Sequence, residues 1–258
     1  MFSLAIGLFF VCALVVNPAA TLANTIVIDS FDNPNPGTNF FVPGLAPWGS
    51  GNPFLNKDTV VGVLGGERDI LVQVVGTPLP ISAAGIIGYE PVYGNGVLEV
   101  GTYGRAGTRV TAQYDGVDMD SSGALVDAKG LGPVDLTDGG VNDRLQLAFN
   151  SVDGGNALAL GLAVTAVGAG GTPTTVNLLV PESGTPFVYD IPFAAFPVNV
   201  FGSVESLTFE FNNSGTPTPN VDFELDSVVA VPEPSTLVSL SALGALLVVV
   251  GTWRWRKR

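Results

Sequence analysis

Histidine is absent from this 258-residue chain, and cysteine occurs once, as Cys12. The first absence excludes Ser-His-Asp and Cys-His nucleophilic schemes and every histidine-based zinc site. Cys12 lies inside an N-terminal apolar run that has the pattern of a removable signal, so the mature chain is expected to carry no thiolate chemistry and no disulfide. Charge is also scarce, at 13% of residues, and it is lopsided: 23 Asp and Glu face 10 Lys and Arg, for a net −13. Four of those basic residues, Arg254, Arg256, Lys257 and Arg258, crowd the last five positions, so the body before them is more acidic still. Such a body repels nucleic acid and anionic membrane surfaces and attracts cations. Long helical periodicity is missing as well.

What is present points to strands and turns. The chain has 33 Gly and 19 Pro against a 47% apolar share, a composition that suits short strands and is too apolar for disorder. Strand-like runs follow one another at short intervals: "TIVID", "TVVGVL", "DILVQVV", "GVLEVG", "RVTAQY", "RLQLAF", "ALALGLAV", "TVNLLV", "FVYDI", "SLTFEF" and "VDFELDSVVAV". Gly, Pro, Asn or Asp separates nearly all of them, and no fixed-period repeat supports a propeller or solenoid. In "SLTFEF", Leu207, Phe209 and Phe211 share one face opposite Thr208 and Glu210; in "VDFELDS", Val221, Phe223 and Leu225 oppose Asp222, Glu224 and Asp226. The expectation is an all-β fold, an antiparallel β-sandwich or jelly roll, forming a single exported domain over residues 24–230.

The two ends read as targeting segments. Residues 1–23 have an apolar core from Leu4 to Val16, a break at Pro18 and a small-residue end at Thr21-Leu22-Ala23, the pattern of a secretory signal peptide cut after Ala23. No Lys or Arg precedes the run, which departs from that pattern, and Val11 ahead of Cys12 argues against lipidation. At the other end, residues 237–253 carry no charge over 17 positions, and Trp253, Trp255 and the basic tip 254–258 follow. This reads as a short transmembrane helix with an interfacial belt and a cytoplasmic stop. Ahead of it stand Pro232, Glu233, Pro234 and Ser235; the two prolines favour an extended, accessible strip.

In that order, motif, apolar span and Arg-rich end, residues 231–258 resemble the PEP-CTERM sorting tail. The resemblance implies recognition by an exosortase-type membrane protease, cleavage near the motif, transient anchoring in the membrane through the C-terminal helix, and display at the surface of an exopolysaccharide-producing bacterium. It says nothing of what the body does. Separately, the Asp-bearing first run "IVIDSFD" and last run "VDFELDSVVAV" together resemble jelly-roll carbohydrate-binding modules that hold a structural calcium.

Calcium suits the available ligands, because it takes several oxygen donors in irregular geometry. Within "YDGVDMDSSGALVDAKG", Asp118, Asp120, Ser122 and Gly123 match the first half of an EF-hand loop, but Lys129 stands where the bidentate Glu belongs. A non-helical turn built from Asp115, Asp118 and Asp120 is the first candidate cation site, against a plain solvated loop. The second joins Asp29 or Asp32 to Asp222 or Asp226 across neighbouring strands, against an exposed strand face. For sugar binding, Trp48 is the candidate platform, with a cap over one end of the sandwich as its other reading. "LGGERDI" reads as a turn carrying Glu67, Arg68 and Asp69, with Arg68 bridging a carboxylate, binding an anion or simply wet. Glycoside hydrolysis needs only two carboxylates, and nothing singles out a pair. The function expected is that of a non-enzymatic surface or matrix protein in contact with exopolysaccharide; a carbohydrate-binding module with structural calcium is the alternative, and a glycoside hydrolase comes third.

Overall fold

A computed structural model describes residues 24–32, 54–59, 61–75, 96–101, 107–117, 131–214 and 218–232. The expected signal segment 1–23, Trp48, Asp118, Asp120 and residues 233–258 lie outside the described residues.

Within them the chain is all-β, with eleven strands and three short 3-10 turns. One sheet runs β1 (Ile26–Asp29), β11 (Asp222–Pro232), β6 (Asn142–Asp153), β9 (Phe187–Pro192), and β4 (Leu98–Val100) also pairs with β11. The other runs β2 (Phe54–Thr59), β3 (Glu67–Val75), β5 (Gly107–Tyr114), β10 (Val204–Phe211), β7 (Ala159–Gly168), β8 (Pro173–Pro181). Every pairing is antiparallel, and the two sheets pack as a sandwich with a common apolar core. The first and last strands of the body are neighbours, Ile26 opposite Ala230.

Period-two alternation builds the core. Leu207, Phe209 and Phe211 on β10 are buried, as are Phe223 and Leu225 on β11 and Leu145, Leu147 and Phe149 on β6. Phe223 joins the sheets, edge-on to Phe149 and tilted against Phe211 with centroids 4.9 Å apart. Burial of such side chains is worth about 1.5–3 kcal/mol each. At Asp226 the alternation of β11 resets. Leu225 stands opposite Phe149 and Ser227 opposite Ala148, so Asp226 is an extra residue, and the inward set passes from Phe223 and Leu225 to Val228 and Ala230.

One expected strand is displaced. "TVVGVL" is not pleated: its Thr59 ends β2, Leu64 enters a 3-10 turn, and Gly62, Gly65 and Gly66 all take positive φ. Left-handed glycines break a strand. Gly65 must be glycine on a second count, since a Cβ there would fall 2.8 Å from Gly116 Cα. The apolar residues of the run divide accordingly: Leu64 is buried and Val61 is exposed.

Candidate metal centre

β1, β3 and β5 meet at a corner crowded with charge. Of the expected turn "LGGERDI", Leu64–Gly66 form a 3-10 turn, but β3 already begins at Glu67, and Glu67, Arg68 and Asp69 are all buried. Alternation sends Arg68 one way and its two acidic neighbours the other. Arg68 points into the sandwich. Its Nη1 donates to both oxygens of Asp29, at 3.0 and 2.9 Å, and the guanidinium carbon lies 5.3 Å from the centre of the Phe31 ring. Asp29 also accepts from Tyr114 Oη at 2.9 Å and from the Phe31 amide at 2.8 Å. Arg68 and Tyr114 are fully buried and Asp29 is 1% exposed, so this charge pair is desolvated and held by hydrogen bonds on several sides. Burial pushes the Tyr114 phenol well above its ordinary pKa, and the neighbouring Asp29 charge adds to the effect.

On the opposite face of β3, the carboxylates of Glu67 and Asp69 meet that of Asp115, which directly follows β5. The register explains the meeting: Asp69 lies opposite Gln113, and one alternation further on, Glu67 falls opposite Asp115. Ligand oxygens of all three lie within 4.8 Å of one another, and all three residues are buried. Gln113 Nε2 donates to Asp115 Oδ2 at 2.7 Å, which fixes one carboxylate. Lys57 stands opposite Asp69 in the β2–β3 register. Carboxylates gathered this closely and shielded from water raise the affinity of the corner for a cation. The donor set fits calcium: two oxygens each about 2.4 Å from a shared ion are separated by at most about 4.8 Å, and calcium accepts all-oxygen, irregular shells.

Asp115 of the first candidate sits in a carboxylate cluster whose other described members come from β3; Asp118 and Asp120 lie outside the described residues. The acids of the second candidate are dispersed. Asp29 is turned inward onto Arg68, and its β11 partner in register is Val228. Asp226 is exposed at the bulge. Asp222 stands opposite Asp153, six residues along β11 from Val228, about 20 Å at strand rise. Asp32 is exposed just beyond β1, against Gly96. Asp29 thus shares no ion with Asp222 or Asp226, because the inward turn that gives it Arg68 removes it from their face. The signal for the β3 acids was present in the sequence: Glu67 and Asp69 are two residues apart, the spacing that puts both on one side of a strand.

A cleft of about 620 Å³ opens between the β7–β8 turn and the segment before β10, lined by residues such as Thr174, Pro197, Val198 and Asn199. Its lining carries no titratable side chain and no aromatic ring, so it offers neither an acid–base pair nor a stacking platform. No helix among the described residues is long and apolar enough to cross a membrane.

No family model matches the chain, and no curated protein does. Among solved structures it is similar to the family 11 carbohydrate-binding module from Clostridium thermocellum in complex with a beta-1,3-1,4-mixed-linked tetrasaccharide, at 11% identity and a TM-score of 0.33, over 81% of this chain and 95% of that one. It is similar to CtCBM11 in solution at 14% identity and a TM-score of 0.34, over 83% and 98%. A third likeness is to TmCBM61 in complex with beta-1,4-galactotriose, at 10% identity and a TM-score of 0.29, over 76% and 99%. Superpositions this loose carry no weight for function, which is argued below from the chain's own residues.

Proposed function

We propose that this chain is a non-enzymatic exported protein of the cell surface or extracellular matrix. Its PEP-CTERM-like tail is sorted by an exosortase-type membrane protease, residues 237–253 anchor it in the membrane until then, and its sandwich contacts exopolysaccharide. The observation that supports this most is the junction at Pro232. β11 keeps its ladder with β6 up to Pro232, opposite Asn142. The motif Pro232-Glu233-Pro234-Ser235 therefore begins at the last described residue of β11. Proline supplies no ladder donor and disfavours helix in the residue before it, so the Pro-Glu-Pro sequence favours an extended strip of the kind a protease cleft reads. The lack of histidine supports the non-enzymatic part.

The test is processing in an exosortase-bearing host. Replacing Pro232, Glu233 and Pro234 together with Ala is expected to leave full-length protein in the membrane fraction, whereas the native chain is shortened and released to the surface. Recovery of full-length native chain from the cytosol, or processing that ignores the substitution, overturns the reading.

A second reading, a carbohydrate-binding module stiffened by calcium, is favoured by the buried Glu67, Asp69 and Asp115 cluster. Retarded migration in polysaccharide gels, lost in Trp48→Ala and in Asp115→Asn, distinguishes it from a matrix protein without a particular glycan.

A further inference from the structure

The proposed signal cleavage at Ala23 makes Asn24 the first residue of the exported body, and the structure holds Asn24 from two sides. Its backbone nitrogen lies 3.4 Å from Asp138 Oδ2, and its carbonyl accepts from Asn142 Nδ2 at 3.1 Å. Asn142 is buried and also donates to the Leu136 carbonyl at 3.2 Å, so it fastens the chain start to the turn that carries Asp138. Asp138 occupies a left-handed backbone position, φ 49°, one residue before the Gly139-Gly140 pair. Glycine would hold that conformation at lower cost.

We propose that Asp138 is a receptor for the new N-terminus. Hydrolysis breaks the Ala23–Asn24 C–N bond; the water oxygen stays on Ala23, which leaves as a carboxylate, and the Asn24 nitrogen becomes an ammonium ion. An amide that gives Asp138 one neutral hydrogen bond is thereby replaced by a cation facing a carboxylate. The ion pair exists only in the processed chain, so export locks the start of β1 after the signal is gone. Asn142 is also the residue opposite Pro232 in the ladder. Asn24 and Pro232, the start of the body and the beginning of the sorting motif, thus both lie against Asn142, and a precursor tethered at both ends is able to fold between its tethers.

This rests on the export reading, and the experiment separates the two. The full chain is expressed in a host with signal peptidase, and its N-terminus is determined by mass spectrometry. The expected start is Asn24. Export with a start elsewhere sinks this inference and spares the function; a chain that stays in the cytosol with residues 1–23 attached sinks both. A second arm compares melting temperatures. In the chain that starts at Asn24, Asp138→Asn is expected to lower the melting temperature by about 1–3 °C, the scale of an exposed ion pair in a domain of this size. In a chain with Gly-Ser inserted after Ala23, which moves the ammonium away, the same substitution is expected to have little effect. An equal drop in both chains means that Asp138 only shapes its turn, and the proposal fails.

Discussion

Two arginines in this sandwich each grip an aspartate on another strand, in opposite surroundings. Arg68 holds Asp29 between the sheets, 0% and 1% exposed, while Arg144 on β6 holds Asp190 on β9 at 3.3 Å, 13% and 40% exposed. Both meet carboxylates at hydrogen-bonding distance, yet the energetics differ. Around Arg144, water solvates whatever the pair does not, and Asp143 offers a second partner at 3.0 Å. Around Arg68 there is no water to fall back on, so every partner matters, and breaking the pair strands a charge in the core. Placement, more than pairing, decides what an ion pair is worth.

The widest split between the two regions is expected from truncation. Arg68→Ala is expected to cost about 3–5 kcal/mol, read from denaturant midpoints, because Asp29 then stays buried without its counter-charge. The combined Asp29→Leu, Arg68→Met and Tyr114→Phe variant removes both charges and the phenol that depends on them, and is expected to regain most of that loss. If the single and combined variants are equally unstable, the corner is held by shape rather than charge.

Calcium gives the next effect, and again only at the buried corner. At a hundred times its dissociation constant, an ion bound to the folded state alone adds about 2.7 kcal/mol. A melting point higher in calcium than in chelator by about 5–10 °C is the expected outcome. Asp115→Asn is expected to abolish the difference and Asp190→Asn to leave it intact. A melting point indifferent to calcium in the native chain removes the metal centre.

Smaller still is Arg144→Ala, expected to cost less than about 1 kcal/mol and to weaken further in salt. The smallest effect belongs to Asp135, an exposed turn carboxylate. The Thr137 hydroxyl and the amides of Gly139 and Thr137 hold its pKa below the usual value. A pKa lowered in the folded state contributes stability above the unfolded-state value near pH 4 and loses it as pH falls through the folded one. The deficit of Asp135→Asn against the native chain is thus expected to be present at pH 6 and to shrink toward pH 2.5. A deficit that stays constant with pH points to turn shape instead.

The sheets were legible where alternation is regular, as in "SLTFEF", because period two is a local property of the chain. "TVVGVL" misleads because its apolar residues say strand while Gly62 within it, and Gly65 and Gly66 just after it, take left-handed backbone angles. The candidate site was legible only in part. Asp115 stands out in a dense acidic loop, but Glu67 and Asp69 fall in a run whose glycines say turn, and the sequence leaves Asp29 as open to a shared ion as to Arg68.

By itself, the sequence determined the chemistry excluded by absent histidine, the two-layer β architecture, and the order of motif, apolar span and basic tip at the C-terminus. All of these follow from composition or from spacing along the chain. Only the tertiary structure decided which charges are dry. That depends on whether Asp29 of the first strand, Arg68 of the third and Tyr114 of the fifth are brought to one corner, and on the register that sets Glu67 across from Asp115. Such long-range pairings leave no trace in local periodicity, because a strand carries the same pattern whichever neighbour covers it.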